Sequence, residues 1–342
     1  MIENPPALEE WREVYKFAIH VKKIVPWEWI TETDIFGVQN PETDEIGFVS
    51  VMGMAGEHYA IAVYMGPEGL YGFWDLQDAG PNESPERVLE IPQLQASFEN
   101  RDELDKKDHE IIKKLGIKFR GRHAWPMFRS YRSGFFPWFL EANEARLIMY
   151  VLEQTLDVAL RYREDESLLE TSDEKSYLVR VPHKEDGILV WEDRIMRVPP
   201  PEPPHIPIAM NTQEIKVLKR LPQSRHTIEI DFFMFPAKIG EEGTRPFYPY
   251  MLLIVDAQSC VILGNESMIA DPSLEAMWGS IPMNVVHQLS KAGIVPREIR
   301  VRSELLLQLL EPLAEELCFN LKRSRTLGSL DSAKEFLLQH FT

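Results

Sequence analysis

The sequence has little of what many secreted, membrane and metal-binding proteins depend on. Two of its 342 residues are cysteines, Cys260 and Cys318, which excludes a disulfide framework and a cysteine-based zinc site. No apolar run approaches the ~20 residues that a membrane-spanning helix needs. The opening MIENPPALEEW lacks a basic segment followed by an apolar one, so we expect no secretory signal. These absences predict a soluble cytoplasmic protein with no membrane partner.

Familiar catalytic motifs are also missing. The sequence contains no Gly-x-Ser-x-Gly, no phosphate loop ending in Gly-Lys-Ser/Thr, and no Gly-x-Gly-x-x-Gly after a strand. The nine histidines are scattered without a fitting partner at helical spacing, which argues against a zinc site. We therefore predict no cofactor and favour a non-enzymatic role.

The acidic charge lies mainly in the first part of the chain. The net charge is −17, but residues 206–342 hold 14 Lys and Arg against 16 Asp and Glu, and the other 205 residues account for −15. An excess of negative charge repels phosphate backbones at long range. The first part is therefore unsuited to general nucleic-acid binding, whereas the second part leaves that function open.

A proline cluster, VPPPEPPHIP at 198–207, predicts a stiff extended connector, because neither a helix nor a central strand accepts so many prolines. Residues 1–197 before it have an α+β pattern. Segments 46–53 and 57–65 indicate one hairpin, SYLVRVP and GILVWEDRIMRV indicate a second, and apolar spacing predicts a long helix at 141–163. We take 208–342 as a second domain.

One stretch of the first domain, residues 116–140, has five Lys and Arg, eight aromatic residues and no acid. Such a segment could bind an anionic or planar ligand through salt bridges and stacking. The candidate binding residues are Arg122, Trp125, Arg129, Tyr131 and Arg132. Alternatively, the arginines pair with the surrounding acids while the aromatic rings fill the core.

The second domain reads as three consecutive strands followed by helix, strand, helix, strand and helix. The strands are predicted at 226–238, 249–257, 260–269, 298–301 and 318–322, and the helices at 273–292, 303–317 and 330–341. This β-β-β-α-β-α-β-α order resembles that of the ribonuclease H-like fold, which implies a mixed five-stranded α/β sheet.

Three segments of this domain resemble ribonuclease H-like enzymes, the integrase and transposase cores. HTIEIDFFMFP is similar to their first strand, YMLLIVDAQSCVILGNES to the hairpin that follows, and GIVPREIRVRSELLLQLLEPLAEELCFNL to the region of their second catalytic Asp. The resemblance implies a first metal ligand at Asp231. The whole chain is also similar to an uncharacterised bacterial two-domain family.

The resemblance implies an Asp at the end of the fourth strand, where this sequence has Arg302. Two-metal chemistry needs several carboxylates converging on the ions, and a guanidinium repels a cation. Asp331 and Glu335 are the remaining candidate ligands, although Asp331 also suits a helix cap and Asp231 a solvent-facing strand position. Asp256, by contrast, precedes Gln258 and Ser259 in a spacing typical of an Asp that caps its own turn.

We therefore expect a degenerate ribonuclease H-like domain in a non-enzymatic module with a protein or nucleic-acid partner. Two alternatives remain open. One is a metal-dependent nuclease or phosphoryl-transfer enzyme that uses Asp231 with Asp331 or Glu335 and a divalent metal. The other is a protein–protein scaffold.

Overall fold

The structure is a computed structural model that describes residues 4–79, 85–208, 210–235, 237–241 and 243–341. It has a two-domain layout, with one compact unit ending at Glu202 and the other beginning at Pro203. Each unit is built on its own mixed sheet, of seven strands in the first and five in the second. No helix in the described ranges has the length and apolar character to cross a membrane.

The first unit contains four α-helices and seven strands in its described part. They are α1 (Leu8–Ile24), β1 (Phe36–Gln39), β2 (Ile46–Met52), β3 (Ala60–Met65), α2 (Gly66–Ala79), β4 (Gln93–Glu99), α3 (Lys106–Leu115), β5 (Trp125–Tyr131), α4 (Ala142–Glu164), β6 (Ser176–Glu185) and β7 (Ile188–Arg197). The strand order is β5-β4-β3-β2-β1-β6-β7. Only the β1–β6 pair is parallel among these neighbours. The long predicted helix and the two predicted hairpins are therefore present, as α4, β2–β3 and β6–β7.

Two apolar clusters cover this first sheet. The larger one includes buried residues of α1 and α4, such as Val14, Ala18, Ile148 and Leu152. The smaller one joins Phe73 of α2 to other aromatic and apolar residues of the sheet. Because both clusters draw on the sheet, helices pack against its two faces in layers.

The second unit contains four α-helices and five strands in its described part. They are α5 (Thr212–Leu218), β8 (Thr227–Met234), β9 (Tyr250–Asp256), β10 (Ile262–Met268), α6 (Leu274–Ala292), β11 (Glu298–Val301), α7 (Glu304–Leu317), β12 (Asn320–Arg323) and α8 (Gly328–Phe341). Every predicted element is present here, and α5 is an additional helix. Residue 236, inside the predicted first strand, lies outside the described residues.

The five strands are ordered β10-β9-β8-β11-β12, with β8 at the centre. β9 is antiparallel to β8 and to β10, whereas β11 is parallel to β8 and to β12. Helix α8 packs on β8 and β9, where Leu330, Ala333 and Leu337 join an apolar cluster with Leu253 and Val255. Helix α8 therefore lies over the face of the sheet that carries the candidate ligands.

Local signals explain where the helices of this unit begin and end. Ser273 and Ser303 cap α6 and α7 by accepting hydrogen bonds from the backbone N–H of Ala276 and Leu306, at 3.2 and 3.1 Å. Such side-chain acceptors satisfy the unpaired N–H groups of a first turn. Gly293 ends α6 in a left-handed conformation with φ of 65°. The cap at Ser303 fixes the chain directly after Arg302.

Candidate functional site

Charged side chains share one face of the central strands in the second unit. Side chains two residues apart along a strand point to the same face. Glu229 on β8 pairs in register with Arg300 on β11, so Asp231 and Arg302, two positions further on, fall on the same side. This charged face borders the N-terminus of α8.

Arg302 lies between two of the predicted metal ligands. One of its guanidinium nitrogens, Nη1, is 3.9 Å from Oδ2 of Asp231, and Nη2 donates a short hydrogen bond to Oδ1 of Asp331. Asp231 is 4% exposed, whereas Arg302 and Asp331 are partly open to solvent. The structure therefore brings Asp231 and Asp331 to one place, with a positive charge between them.

Burial dominates the electrostatics of Asp231. Loss of water around the carboxylate raises its pKa, while the charge of Arg302 and a hydrogen bond from the backbone N–H of Phe232 lower it in part. The net direction is upward. A carboxyl group with a raised pKa is a costly feature for a fold to keep and is common at functional sites.

Glu229 is a buried carboxylate that the sequence analysis missed. Its Oε2 accepts a hydrogen bond of 2.9 Å from the backbone N–H of Leu330 in the first turn of α8. Glu229 lies two residues before Asp231 on β8, so the two side chains share one face of the sheet. That spacing was the sequence signal that could have identified Glu229. The bond ties the start of α8 to the centre of the sheet.

The residues present do not fit the divalent metal that the ribonuclease H resemblance implies. Arg302 supplies the positive charge at Asp231 and Asp331, and a guanidinium cannot ligate a cation. Over the residues that the structure describes, no group of three or more His, Cys, Asp or Glu side chains is placed to hold a metal ion. Glu335, the third predicted ligand, is exposed one helical turn beyond Asp331 on α8.

Asp256 has the turn role that its spacing predicts. Its Oδ1 accepts hydrogen bonds from the backbone N–H of Gln258 at 3.1 Å and of Ser259 at 2.8 Å, and from the Ser259 hydroxyl. Its Oδ2 lies 2.7 Å from Nδ1 of His226, a contact that the sequence analysis missed. These bonds to the ionised form bring the pKa of Asp256 down to about 2, against the opposing effect of burial.

In the first unit, Arg129 is held by acidic residues of its own domain. The Arg129 guanidinium donates to both carboxylate oxygens of Asp108, at 3.0 and 2.7 Å, and to Asp105 at 2.7 Å. It also lies 4.6 Å from the ring centre of Phe139 and is 7% exposed. These charge-assisted bonds occupy the donors that an external anion would need.

The other candidate residues of this segment lie at several depths. Arg132 pairs with Glu144 at 2.8 Å and with Glu141 at 3.0 Å. The hydroxyl of Tyr131 donates to Gln95 at 3.0 Å, and Trp125 packs partly buried against the core. Arg122 is exposed. These five residues therefore combine internal ion pairs, packed rings and the exposed Arg122.

Two family models match the chain, one in each unit. Residues 11–180 match a domain of unknown function, DUF7309, and residues 214–338 match a second domain of unknown function, DUF6930. A search of curated proteins found no match to this sequence. The two matches cover the chain in two successive parts, consistent with an uncharacterised family that joins these two domains.

Proposed function

We propose that residues 208–342 form a ribonuclease H-like domain in which Arg302 has replaced the metal centre, and that this domain is a non-enzymatic interaction module. The mixed five-stranded sheet supports the proposal. Its first strand, β8, is central, its second and third strands form an antiparallel meander, and its fourth and fifth run parallel to the first. The helices between and after these strands follow the order implied by the resemblance.

The position of Arg302 carries the functional part of the proposal. Where a metal ion would neutralise Asp231 and Asp331, the guanidinium already does so from the end of β11. A guanidinium cannot coordinate a water molecule and lower its pKa, so it cannot generate the attacking hydroxide that a bound metal ion supplies.

The charge distribution supports an interaction role centred on the second unit. The excess of acidic residues lies before residue 206, so a nucleic-acid partner would meet less repulsion at the second unit. Binding without cleavage is the activity we assign to this domain.

A cleavage assay tests the proposal. The full chain and Asp231→Asn are incubated with single- and double-stranded DNA and RNA in Mn²⁺ or Mg²⁺, and binding is measured separately by fluorescence anisotropy in EDTA. We expect the two proteins to give the same background cleavage. Cleavage by the wild type that Asp231→Asn lacks would establish a metal-dependent nuclease and overturn the proposal. Anisotropy then separates a nucleic-acid partner, which binds in EDTA, from a protein partner.

A further inference from the structure

Strand β7 is a long open edge of the first sheet. It spans ten residues, Ile188–Arg197, and within the described ranges it pairs with β6 alone. Its two isoleucines, Ile188 and Ile195, are 69% and 60% exposed. An edge with this length and apolar content readily pairs with another strand unless charge or shape prevents it.

The open backbone groups of β7 belong to its odd-numbered residues. Next to the strand, the N–H of Val198 donates to the carbonyl of Lys175, so even-numbered residues direct their backbone groups toward β6. Backbone direction alternates along an antiparallel strand. Residues 189, 191, 193, 195 and 197 therefore present their N–H and C=O groups outward. A second antiparallel strand with the same pattern of free N–H and C=O groups would form hydrogen bonds with them.

A second copy of β7 is such a partner, and its charges favour one register over the two adjacent ones. With Asp193 on a two-fold axis, each outward residue faces another outward residue. Glu192 of each copy then lies directly opposite Arg194 of the other, as a complementary pair on either side of the axis. Moving the axis to Glu192 places two glutamates opposite each other, and moving it to Arg194 places two arginines opposite each other. Opposite charges across a strand pair stabilise it and like charges destabilise it.

The same register pairs apolar side chains. Trp191 of one copy lies opposite Ile195 of the other, and Val190 lies opposite Met196. Trp191 already packs beside Tyr150 of α4, at 6.0 Å between ring centres, so the exposed Ile195 would extend an existing apolar surface. Aromatic and aliphatic side chains make favourable cross-strand pairs.

Asp193 on the axis would face its own copy, but its charge is already compensated. Oδ1 of Asp193 is 2.5 Å from Nη1 of Arg180, and Oδ2 makes a short ion pair with Arg161. Desolvation raises the pKa of Asp193, but the two arginines outweigh it and give a lowered value. The central position therefore does not oppose pairing.

We propose that the protein forms a two-fold homodimer through antiparallel pairing of β7 with β7 of a second copy, joining the two seven-stranded sheets into one. The charged residues of the strand act against the two adjacent registers, because only the register centred on Asp193 brings Glu192 opposite Arg194. The partner strand is therefore an identical copy of β7.

Charge exchange tests the register in the full chain. Sedimentation equilibrium on the wild type should give a mass approaching twice the 39.7 kDa of one chain as concentration rises. Glu192→Arg and Arg194→Glu, each alone, place like charges opposite each other twice and should weaken association by about tenfold or more. Mixing these two variants, or combining both changes in one chain, restores complementary pairs and should restore dimers.

Two further variants separate pairing from folding. Ile195→Pro removes an N–H that points away from β6, so it should keep the fold by circular dichroism and abolish the dimer. Glu57→Arg, an exposed charge reversal between β2 and β3, should leave the dimer unchanged. A wild type that stays monomeric at every concentration overturns the proposal. So does a dimer that survives both single reversals, or a mixture of those variants that stays monomeric.

Discussion

Asp231 and Asp256 are buried carboxylates on neighbouring strands, but their pKa values move in opposite directions. Burial raises the pKa of Asp231, which has one backbone donor and a guanidinium 3.9 Å away. Asp256 is also buried but accepts bonds from Gln258, Ser259 and His226, and its pKa falls to about 2. The direction of each shift therefore follows from the hydrogen bonds to the carboxylate set against the cost of its burial.

Asp231→Asn should raise the free energy of unfolding at pH 7, by about 1 kcal/mol. A carboxyl with a raised folded pKa makes the protein less stable as pH rises through that pKa, because the folded state holds the proton more tightly than the unfolded state. The gain of the variant should therefore shrink as the pH falls and disappear below the usual aspartate pKa of about 3.9, where the folded and the unfolded carboxyl both take up a proton. Urea unfolding at pH 7 and below that pKa measures it. A variant less stable than the wild type at pH 7 would contradict this account of Asp231.

Asp256→Asn is the matched control and should show the opposite sign. The folded pKa of about 2 lies below the usual 3.8, so the ionised group stabilises the fold above about pH 4 and this contribution is lost as pH falls toward 2. We expect the variant to lose about 2 kcal/mol at pH 7 and little near pH 2. If Asp231→Asn and Asp256→Asn changed the unfolding free energy equally, the hydrogen-bond donors around each carboxylate would not explain its effect on stability.

Arg129→Ala should destabilise the first unit by about 3–5 kcal/mol, because it leaves the carboxylate of Asp108 buried without its partner. Arg122→Ala, an exposed residue of the same segment, should change the unfolding free energy by less than about 0.5 kcal/mol. Urea unfolding of both variants provides the comparison. If Arg129→Ala kept full stability, the internal ion pairs would not explain the basic residues of this segment.

At this residue scale, sequence reasoning succeeded where interactions are local. The turn formed by Asp256 depends on residues two and three positions away, which the sequence displays directly. His226 and Glu229 were missed because their partners, Asp256 and Leu330, lie 30 and 101 residues away. Only the folded sheet brings such groups together.

At the scale of elements, periodicity located the helices and strands of the second unit apart from α5, whereas β4 (Gln93–Glu99) of the first unit was missed. Its apolar residues Leu94, Ala96 and Phe98 alternate with Gln93, Gln95 and Ser97, and all six are buried. The two-residue period was therefore in the sequence. Polar side chains on the other face made it resemble a loop, because residues such as glutamine carry little strand preference of their own.

Helix α6 approaches the preceding segment closely at Gly279. A Cβ at this position would overlap the carbonyl oxygen of Pro207, which backbone movement would have to relieve. Alanine would otherwise favour the helix by about 1 kcal/mol, but the overlap should prevail and give a net loss of about 1–3 kcal/mol. Gly328→Ala, where no atom lies within 4 Å, is the control and should be close to neutral. Thermal unfolding measures the stability of the two variants, and Gly279→Ala should be the less stable. A stabilised Gly279→Ala would contradict the close contact.

At the scale of the whole molecule, composition and element order predicted the two-domain layout and the mixed α/β sheet of the second unit. Local sequence patterns do not predict the order of the strands across each sheet, because that order depends on which strands pair in the folded protein. The seven-stranded order with β1 beside β6 is an example, since it joins residues about 140 positions apart. The sequence shows that position 302 is an arginine, but only the folded structure shows that Arg302 pairs with Asp331.

The central claim is that Arg302 has taken the place of a metal ion between Asp231 and Asp331. The most direct test is a Mn²⁺ titration of the full chain, with free Mn²⁺ followed by electron paramagnetic resonance and Asp231→Asn as the reference. The account predicts that wild type and variant leave the same amount of free Mn²⁺ up to millimolar concentration. Mn²⁺ bound by the wild type and not by Asp231→Asn would contradict it.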